Sequence, residues 1–281
     1  MTHRTRRDDG RPMSGGFGAF TTWGLVSDGP GAVRRWESRR LRKHPVPAGR
    51  VGATWWAPQA RGWWIGVLFA VGSVLFALGA FPVYAAAVGV AADSVTYAVG
   101  SVFFTIAGFL QYREAVDSAP LAAGRRRHRV FVFRPDRIEW LATAIQLAGT
   151  LFFNRSTFSA CQADITAQAA RHTVWRPDAL GSICFLVASL LAWWEVCHGW
   201  AAWRPRQVDW WITFVNLAGS VAFGVSAVAA YVVPATGDLR DAELANLGTF
   251  VGAAGFLVGA ILLLKERTED VDPPTGPALS A

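Results

Sequence analysis

The chain has 281 residues, of which 52% are hydrophobic and 17% charged, with a formal net charge of +7. The apolar residues concentrate in windows of about 18 or more, the length that crosses a hydrocarbon core, which excludes an ordinary soluble domain. The positive charge does not indicate nucleic-acid binding, because Lys and Arg cluster beside these windows, as in the positive-inside pattern of membrane proteins. Arginine far outnumbers lysine, which favours a GC-rich, bacterial genome.

Along the chain, an Arg-, Gly- and Pro-rich segment at 1–54 comes first, and its composition predicts a disordered basic cytosolic arm. Apolar periodicity and length then predict membrane spans, which are interrupted by Pro, Gly and charged residues. The spans are predicted at 63–81, 95–112, 138–153, 179–196, 210–233 and 244–264. An acidic, Pro-rich tail at 268–281 is predicted to be disordered. The expected fold class is therefore all-α, a polytopic membrane protein with six transmembrane helices.

The distribution of Lys and Arg predicts the topology. An even number of spans puts both termini on one side of the membrane, and most Lys and Arg lie in the segments on that side. Both termini are therefore predicted in the cytoplasm, with the protein in the plasma membrane. A basic cluster in the second cytoplasmic segment is a further candidate for binding anionic lipid headgroups. Its members are Arg125, Arg126, Arg127 and Arg129.

A short signature, aromatic-x-Pro-x4-Trp-x8-Gly-(Ser/Thr), precedes each odd-numbered span. Its copies run from Trp56 to Ser73, from Phe133 to Thr150 and from Trp203 to Ser220. Each copy opens a hairpin of two spans, which divides the chain into hairpins at 55–114, 133–198 and 203–267. Because a hairpin holds an even number of spans, the copies keep one orientation, and three parallel repeats are predicted.

Every predicted span also contains a Gly followed by Ser or Thr. Glycine lets two helix backbones approach closely, and a hydroxyl can bond a facing carbonyl, so these pairs are predicted to be helix-packing residues. A Phe follows at the fourth position in all spans but the last, which has Gly252 there and two G-x-x-x-G runs, suited to a close crossing or a homo-oligomer face. The pairs are Gly72-Ser73, Gly100-Ser101, Gly149-Thr150, Gly181-Ser182, Gly219-Ser220 and Gly248-Thr249.

With these motifs, the hairpin GVLFAVGSVLFALGAF…YAVGSVFFTIAGFLQ resembles the YrhK-like membrane family, whose members consist of one two-span hairpin with Gly-Ser-x-x-Phe in both helices. Gly72, Ser73 and Phe76 carry the match in the first helix, and Gly100, Ser101 and Phe104 carry it in the second. The resemblance implies architecture and no defined biochemical activity.

Chemistry-bearing residues are scarce in the predicted spans. Glu114, Glu139, Glu195 and Asp209 fall at or near span ends, where water is expected to reach them, which argues against a proton relay, an ion pump or a voltage sensor. No nucleotide-binding or nucleophile motif occurs. Cys197-His198, close to Glu195, has poor spacing for a shared metal. No catalytic residue, metal or cofactor is predicted.

Two polar residues, Gln146 and Asn216, occupy equivalent places in spans 3 and 5. Either each amide hydrogen-bonds a neighbouring helix, or both line a path for a small neutral solute. The first hypothesis for function is a non-enzymatic scaffold or interaction protein. The alternative is a passive carrier or channel between the hairpins. A membrane enzyme would need Glu114, Glu195 and His198 to converge in a pocket.

Overall fold

The computed structural model of the chain describes residues 5–6, 12–29, 32–39, 56–117, 132–162 and 165–269. The helices are α1 (Arg61–Gly79), α2 (Pro82–Val88), α3 (Val90–Asp117), α4 (Ile138–Ala160), α5 (Ala167–Ala170), α6 (Arg176–Cys197), α7 (Val208–Ala229) and α8 (Ala242–Glu269). A π-helical turn, Arg171–Trp175, joins α5 to α6. The predicted helical class is confirmed for this part of the chain.

Within the described residues, five helical segments are long and apolar enough to cross a membrane, which supports a membrane-embedded protein. They are Arg61–Gly79, Val90–Asp117, Ala167–Cys197, Val208–Ala229 and Ala242–Lys265. Helix α4, where the third span is predicted, does not reach that apolar content because it carries a series of polar side chains. The segment between the predicted spans at 138–153 and 179–196 is largely helical in the structure, since α4 continues to Ala160 and helix resumes at Ala167.

The six long helices form a closed ring in chain order. Helices α1, α3, α4, α6, α7 and α8 each pack against the next, and α8 packs against α1. The axis of the ring is filled by buried phenylalanines in tilted and edge-to-face contacts, the arrangement that aromatic quadrupoles favour. Ring centroids lie 5.3 Å apart for Phe76–Phe104, 5.1 Å for Phe153–Phe185 and 5.7 Å for Phe223–Phe256. Phe69 belongs to the same cluster.

In three helix pairs, each helix places a glycine against a phenylalanine of its partner. A Cβ built on Gly72 would lie 3.0 Å from Phe104, and one on Gly100 would lie 2.9 Å from Phe76. The same reciprocal contacts join α4 to α6, where Gly149 faces Phe185 at 2.8 Å and Gly181 faces Phe153 at 3.1 Å. These glycines leave the room that the aromatic rings occupy.

The contacts of α8 show that its alignment with α3 and α6 differs from the one expected from the sequence. Gly219 faces Phe256, and Gly252 faces Phe223 at 2.8 Å, so Gly252 is the counterpart of Gly100 and Gly181. The expectation that Gly252 replaces a phenylalanine was wrong, because Gly248 lies elsewhere, against Ala222 and Ser226. Gly255 also lies against the α7 backbone, with a built Cβ 3.0 Å from the Val215 carbonyl. These glycines therefore serve a close crossing inside the chain.

The hydroxyls next to these glycines differ in their partners. Ser101 shares a hydrogen bond of 2.9 Å with Thr157, Ser220 one of 2.8 Å with Ser189, and Thr249 one of 2.7 Å with Ser226, each joining two helices. Thr150 instead donates to the Leu147 carbonyl of its own helix. Ser73 and Ser182 are buried with no hydrogen-bond partner among the described residues.

The signature before each odd-numbered span forms the same helix entry three times. Its first aromatic ring packs edge-on against its Trp, with centroid distances of 5.0 Å for Trp56–Trp63, 5.3 Å for Phe133–Trp140 and 5.1 Å for Trp203–Trp210. Each Trp lies in the first turn of its helix, so the contact packs the entering chain against the helix start.

The amino-terminal segment differs from the disorder predicted for 1–54. Its described residues form an antiparallel sheet in the order β1 (Thr5–Arg6), β2 (Pro12–Phe17), β3 (Phe20–Gly29), β4 (Ala32–Glu37). Residues 12–29 and 32–39, here called the arm, contact α4 and α6 at one end of the ring. Aromatic and β-branched residues in the arm supply the strand preference that its overall polar composition conceals. The tail predicted as disordered at 268–281 lies outside the described residues except for its first two positions, which belong to α8.

Candidate ligand-binding cavity

A cavity of about 70 Å³ lies inside the ring at the end covered by the arm, here called the arm end. Helices α1, α4 and α7 begin at this end and α3, α6 and α8 finish there. The phenylalanine cluster forms its floor, through Phe69 and Phe256. A cavity of this size holds several water molecules or a very small solute. Its polar lining consists of Arg39, Gln111, Glu139, Thr143, Gln146, Ser189, Glu195, Thr213 and Asn216.

The lining repeats by position around the ring. Phe69, Gln146 and Asn216 each stand three residues before the packing glycine of their helix. In the other three helices, Gln111, Ala192 and Leu263 each stand 11 residues after the packing glycine, which in α8 is Gly252. The structure thus brings Gln146 and Asn216 into one cavity, as the solute-path alternative predicts. It adds Gln111 of α3, which the sequence analysis did not select.

The amides of this cavity are incompletely hydrogen-bonded. Among the described residues, the Gln111 Oε1 and Asn216 Oδ1 atoms are buried and have no partner. No hydrogen bond to the Gln146 side chain is formed within the same part of the chain either. The first alternative, in which each of the two amides hydrogen-bonds a neighbouring helix, is therefore not seen in this structure. Since a buried unpaired carbonyl costs about 1–3 kcal/mol, the cavity favours an occupant that donates hydrogen bonds.

The two carboxylates of the lining are buried, which differs from the expectation that water reaches them. Glu195 is 2% exposed and Glu139 is 5% exposed. Glu139 accepts a hydrogen bond of 2.6 Å from Arg137 Nε, and Glu195 accepts one of 2.5 Å from Ser38 Oγ. Both carboxyl groups are therefore engaged by protein groups, Glu139 by a guanidinium and Glu195 by a hydroxyl, as buried ionisable side chains need to be.

The arm supplies the outer wall of the cavity. Arg39 lines it directly, and Ser38 bonds Glu195 at its rim. Beside the rim, Thr22 is fully buried and its hydroxyl is hydrogen-bonded to His198 Nδ1 at 2.8 Å. Sequence reasoning missed these residues because nothing in the arm has the periodicity of a packed element. The clustering of Phe17, Phe20 and Trp23 was the signal that could have indicated one.

The residues considered for an enzyme do not converge. Glu195 lines the cavity, but Glu114 does not, and His198 lies at the rim against Thr22. Within the described ranges no group of three metal-ligating side chains occurs. The basic cluster at 125–129 lies outside the described residues, so its suggested lipid contacts stay a prediction.

The α3–α4 interface is polar through much of its length. Asn154 Nδ2 donates to Thr105 Oγ1 at 2.8 Å, and Ser101 bonds Thr157 one turn further along. Asn154 Oδ1 is buried without a hydrogen-bond partner in the described structure. The α8–α1 interface, at an equivalent place in the ring, is apolar, and Gly66 there faces Leu264. The residues Ser101, Thr105, Thr150, Asn154 and Thr157 are called the polar seam below.

These features define a class, a helical protein with membrane-length apolar helices arranged around a polar cavity. Comparison of the chain with protein-family models, with curated proteins and with solved structures finds no match. The resemblance to the YrhK-like family therefore stays a prediction.

Proposed function

We propose that this protein is a bacterial plasma-membrane carrier or channel that binds a small neutral, hydrogen-bonding solute in the cavity of its helix ring. The observation that carries the proposal is the meeting of Gln111, Gln146 and Asn216 in one cavity, with two of their carbonyl oxygens unpaired. This takes up the second hypothesis from the sequence. The scaffold hypothesis needs no such cavity.

The proposal includes six spans arranged as three parallel hairpins, with the arm end and both termini in the cytoplasm. Helix α4 counts as the sixth span because it lies between α3 and α6 in the ring. Apart from Arg155, which is exposed near the end of the helix, its polar side chains are at least partly buried against the protein, whereas Leu151 and Phe158 are more than half exposed on its outer side. A helix that satisfies its polar groups against protein can span a membrane at lower mean hydropathy.

A neutral solute fits the lining better than an ion. The ionisable groups of the lining are already engaged within the protein, Glu139 and Glu195 by the hydrogen bonds described above and Arg39 by a further interaction, so the groups left to bind a ligand are amides and hydroxyls. Amides and hydroxyls both donate and accept hydrogen bonds, which suits solutes of the size and chemistry of urea, formamide or glycerol. The proposed protein is not an enzyme and uses no cofactor.

The polar seam offers a route from the cavity towards the opposite end of the ring. The axis itself is closed by the phenylalanine cluster. The seam begins near Gln111 and Gln146 and continues through Thr150 to Asn154 and Thr157 on α4. A polar group in the membrane core needs a hydrogen-bond partner, and a solute or water molecule that passes along the seam can serve as that partner.

Stopped-flow light scattering of proteoliposomes tests the proposed function. We expect the purified protein to speed entry of at least one of urea, formamide or glycerol above the rate of protein-free liposomes. Equal rates for all three solutes in vesicles shown to contain folded protein would contradict the proposal and favour the scaffold hypothesis. Vesicles with and without anionic lipid would also test the suggested headgroup contacts, and size measurement of the purified protein would test for a homo-oligomer.

The seam gives a separate prediction. Replacing Asn154 by Leu removes the bond to Thr105 and the unpaired carbonyl, and we expect solute entry to slow by about tenfold while solute binding to the cavity is retained. Ser226→Ala is the matched control, because it also removes a bond between two helices, to Thr249, but outside the seam. Equal slowing in both variants would indicate that the seam only holds helices together.

A further inference from the structure

The arm occupies the outlet of the cavity at the arm end. Arg39 is part of the lining, and Ser38 immediately before it donates to the buried Glu195 carboxylate. These two residues follow strand β4, whose pairing with β3 fixes where they lie. The wall at this end is thus made by a segment that precedes the helices and is not part of the ring.

Aromatic packing and hydrogen bonds hold the described part of the arm on the ring. Phe17 packs against Trp194 and Trp200, with centroid distances of 4.7 and 5.2 Å. Phe20 packs on the cluster formed by Ile138, Ala142 and Leu191. Thr22 bonds His198 from the same face of β3 as Phe20, since alternate residues of a strand share a face. Thr21, between them, points away and is exposed.

Two of the contacts between the arm and the ring are hydrogen bonds that water can replace. The bonds from Ser38 and Thr22 end on Glu195 and His198, groups that water can solvate in their place. A net hydrogen bond of this kind is modest because solvent replaces it. Among the arm side chains whose burial the structure describes, Thr22 and Ser38 are the buried ones, and elements with few buried side chains open before the rest of a fold.

We infer that the arm is a removable wall of the cavity: it closes the cavity at the arm end by placing Ser38 and Arg39 over it, and a solute enters or leaves there only when the arm lifts from α4 and α6. This inference concerns access to the cavity and holds whichever solute fills it. It gives Thr22, Ser38 and Arg39 a role in controlling access of solute to the cavity.

Thiol labelling in the full-length protein tests this. The reporter is Ala192→Cys, a cavity position, in a background with Cys161, Cys184 and Cys197 replaced by Ser or Ala. The probe is a quaternary-ammonium methanethiosulfonate applied to detergent-purified protein. Adding Thr22→Val and Ser38→Ala should raise the labelling rate by about tenfold, which corresponds to about 1.4 kcal/mol of arm closure. Thr21→Val, the exposed neighbour, should leave the rate unchanged.

A locked variant gives the reverse result. Thr22→Cys with His198→Cys places two thiols where side chains already touch, and their disulfide should slow labelling at position 192 by about tenfold, with recovery after reduction. Thermal melting of each variant separates arm release from loss of the fold. An unchanged labelling rate in both the released and the disulfide-locked protein would overturn the inference, whether or not the protein transports any solute.

Discussion

Replacing Gln146 and Asn216 together by leucine is expected to abolish most of the protein-dependent solute entry. Both amides line the same cavity, and leucine fills a similar volume without hydrogen-bonding groups. The leucines cannot form the two hydrogen bonds that the amides would make to the solute. At about 1 kcal/mol each, their loss should reduce the rate of solute entry roughly 30-fold, since 1.4 kcal/mol is a factor of ten. Stopped-flow entry of urea, formamide or glycerol into proteoliposomes measures the effect.

Asn246→Leu is the control for this pair. It makes the same chemical change in α8, at an exposed position near the opposite end of the ring. Solute entry in this variant should match the unaltered protein. If the Gln146 and Asn216 variant transports as fast as the control, the cavity is not on the route and the proposed function fails. The melting temperature of each variant should stay close to that of the parent, because neither amide bonds a neighbouring helix.

The second large effect concerns the phenylalanine cluster. Phe185→Ala should lower the free energy of unfolding by about 3–5 kcal/mol, the usual cost of removing a buried phenyl ring. Phe185 is 2% exposed and contacts Phe104, Phe153 and Phe256, with ring centroids 5.1 to 6.2 Å apart. The cost arises from lost packing, because lipid tails are as apolar as the cluster itself.

Ile183→Ala is the matched change on the same helix. Ile183 is 58% exposed on the outer side, so its truncation should cost less than about 1 kcal/mol. Reversible unfolding in mixed detergent micelles compares the two variants. Similar losses at both positions would mean that the aromatic axis is not the main source of cohesion in the ring. A rise in solute entry in Phe185→Ala would further indicate that the cluster closes the axis.

Several elements of the fold could be predicted from the sequence because they depend on local composition. The long apolar helices follow from windows that match the membrane thickness. The signature predicted where α1, α4 and α7 begin. Its Pro precedes each helix, and its two aromatic residues pack against each other across the helix start. The Gly–Phe spacing in α1, α3, α4, α6 and α7 was also visible, because residues four apart share one helix face.

Other features were invisible in the sequence because they depend on which helices meet. The register of α8 is ambiguous in the sequence since this helix offers several glycines, and only contact with Phe223 shows that Gly252 is the packing one. With that register, Glu266 stands at the position of Glu114 and Glu195, a correspondence that is lost when α8 is aligned on Gly248. Polar residues of α4 lower its hydropathy, and their partners lie on α3, at separations of about 50 residues.

The sequence by itself determined a helical protein with membrane-length segments and a recurring helix entry, because hydropathy, Pro placement and aromatic spacing act over a few turns of chain. Only the tertiary structure decided that the ring closes between α8 and α1, that Gln111, Gln146 and Asn216 share a cavity, and that the arm covers it. These outcomes depend on packing between residues far apart in the chain, and local periodicity carries no information about such pairings.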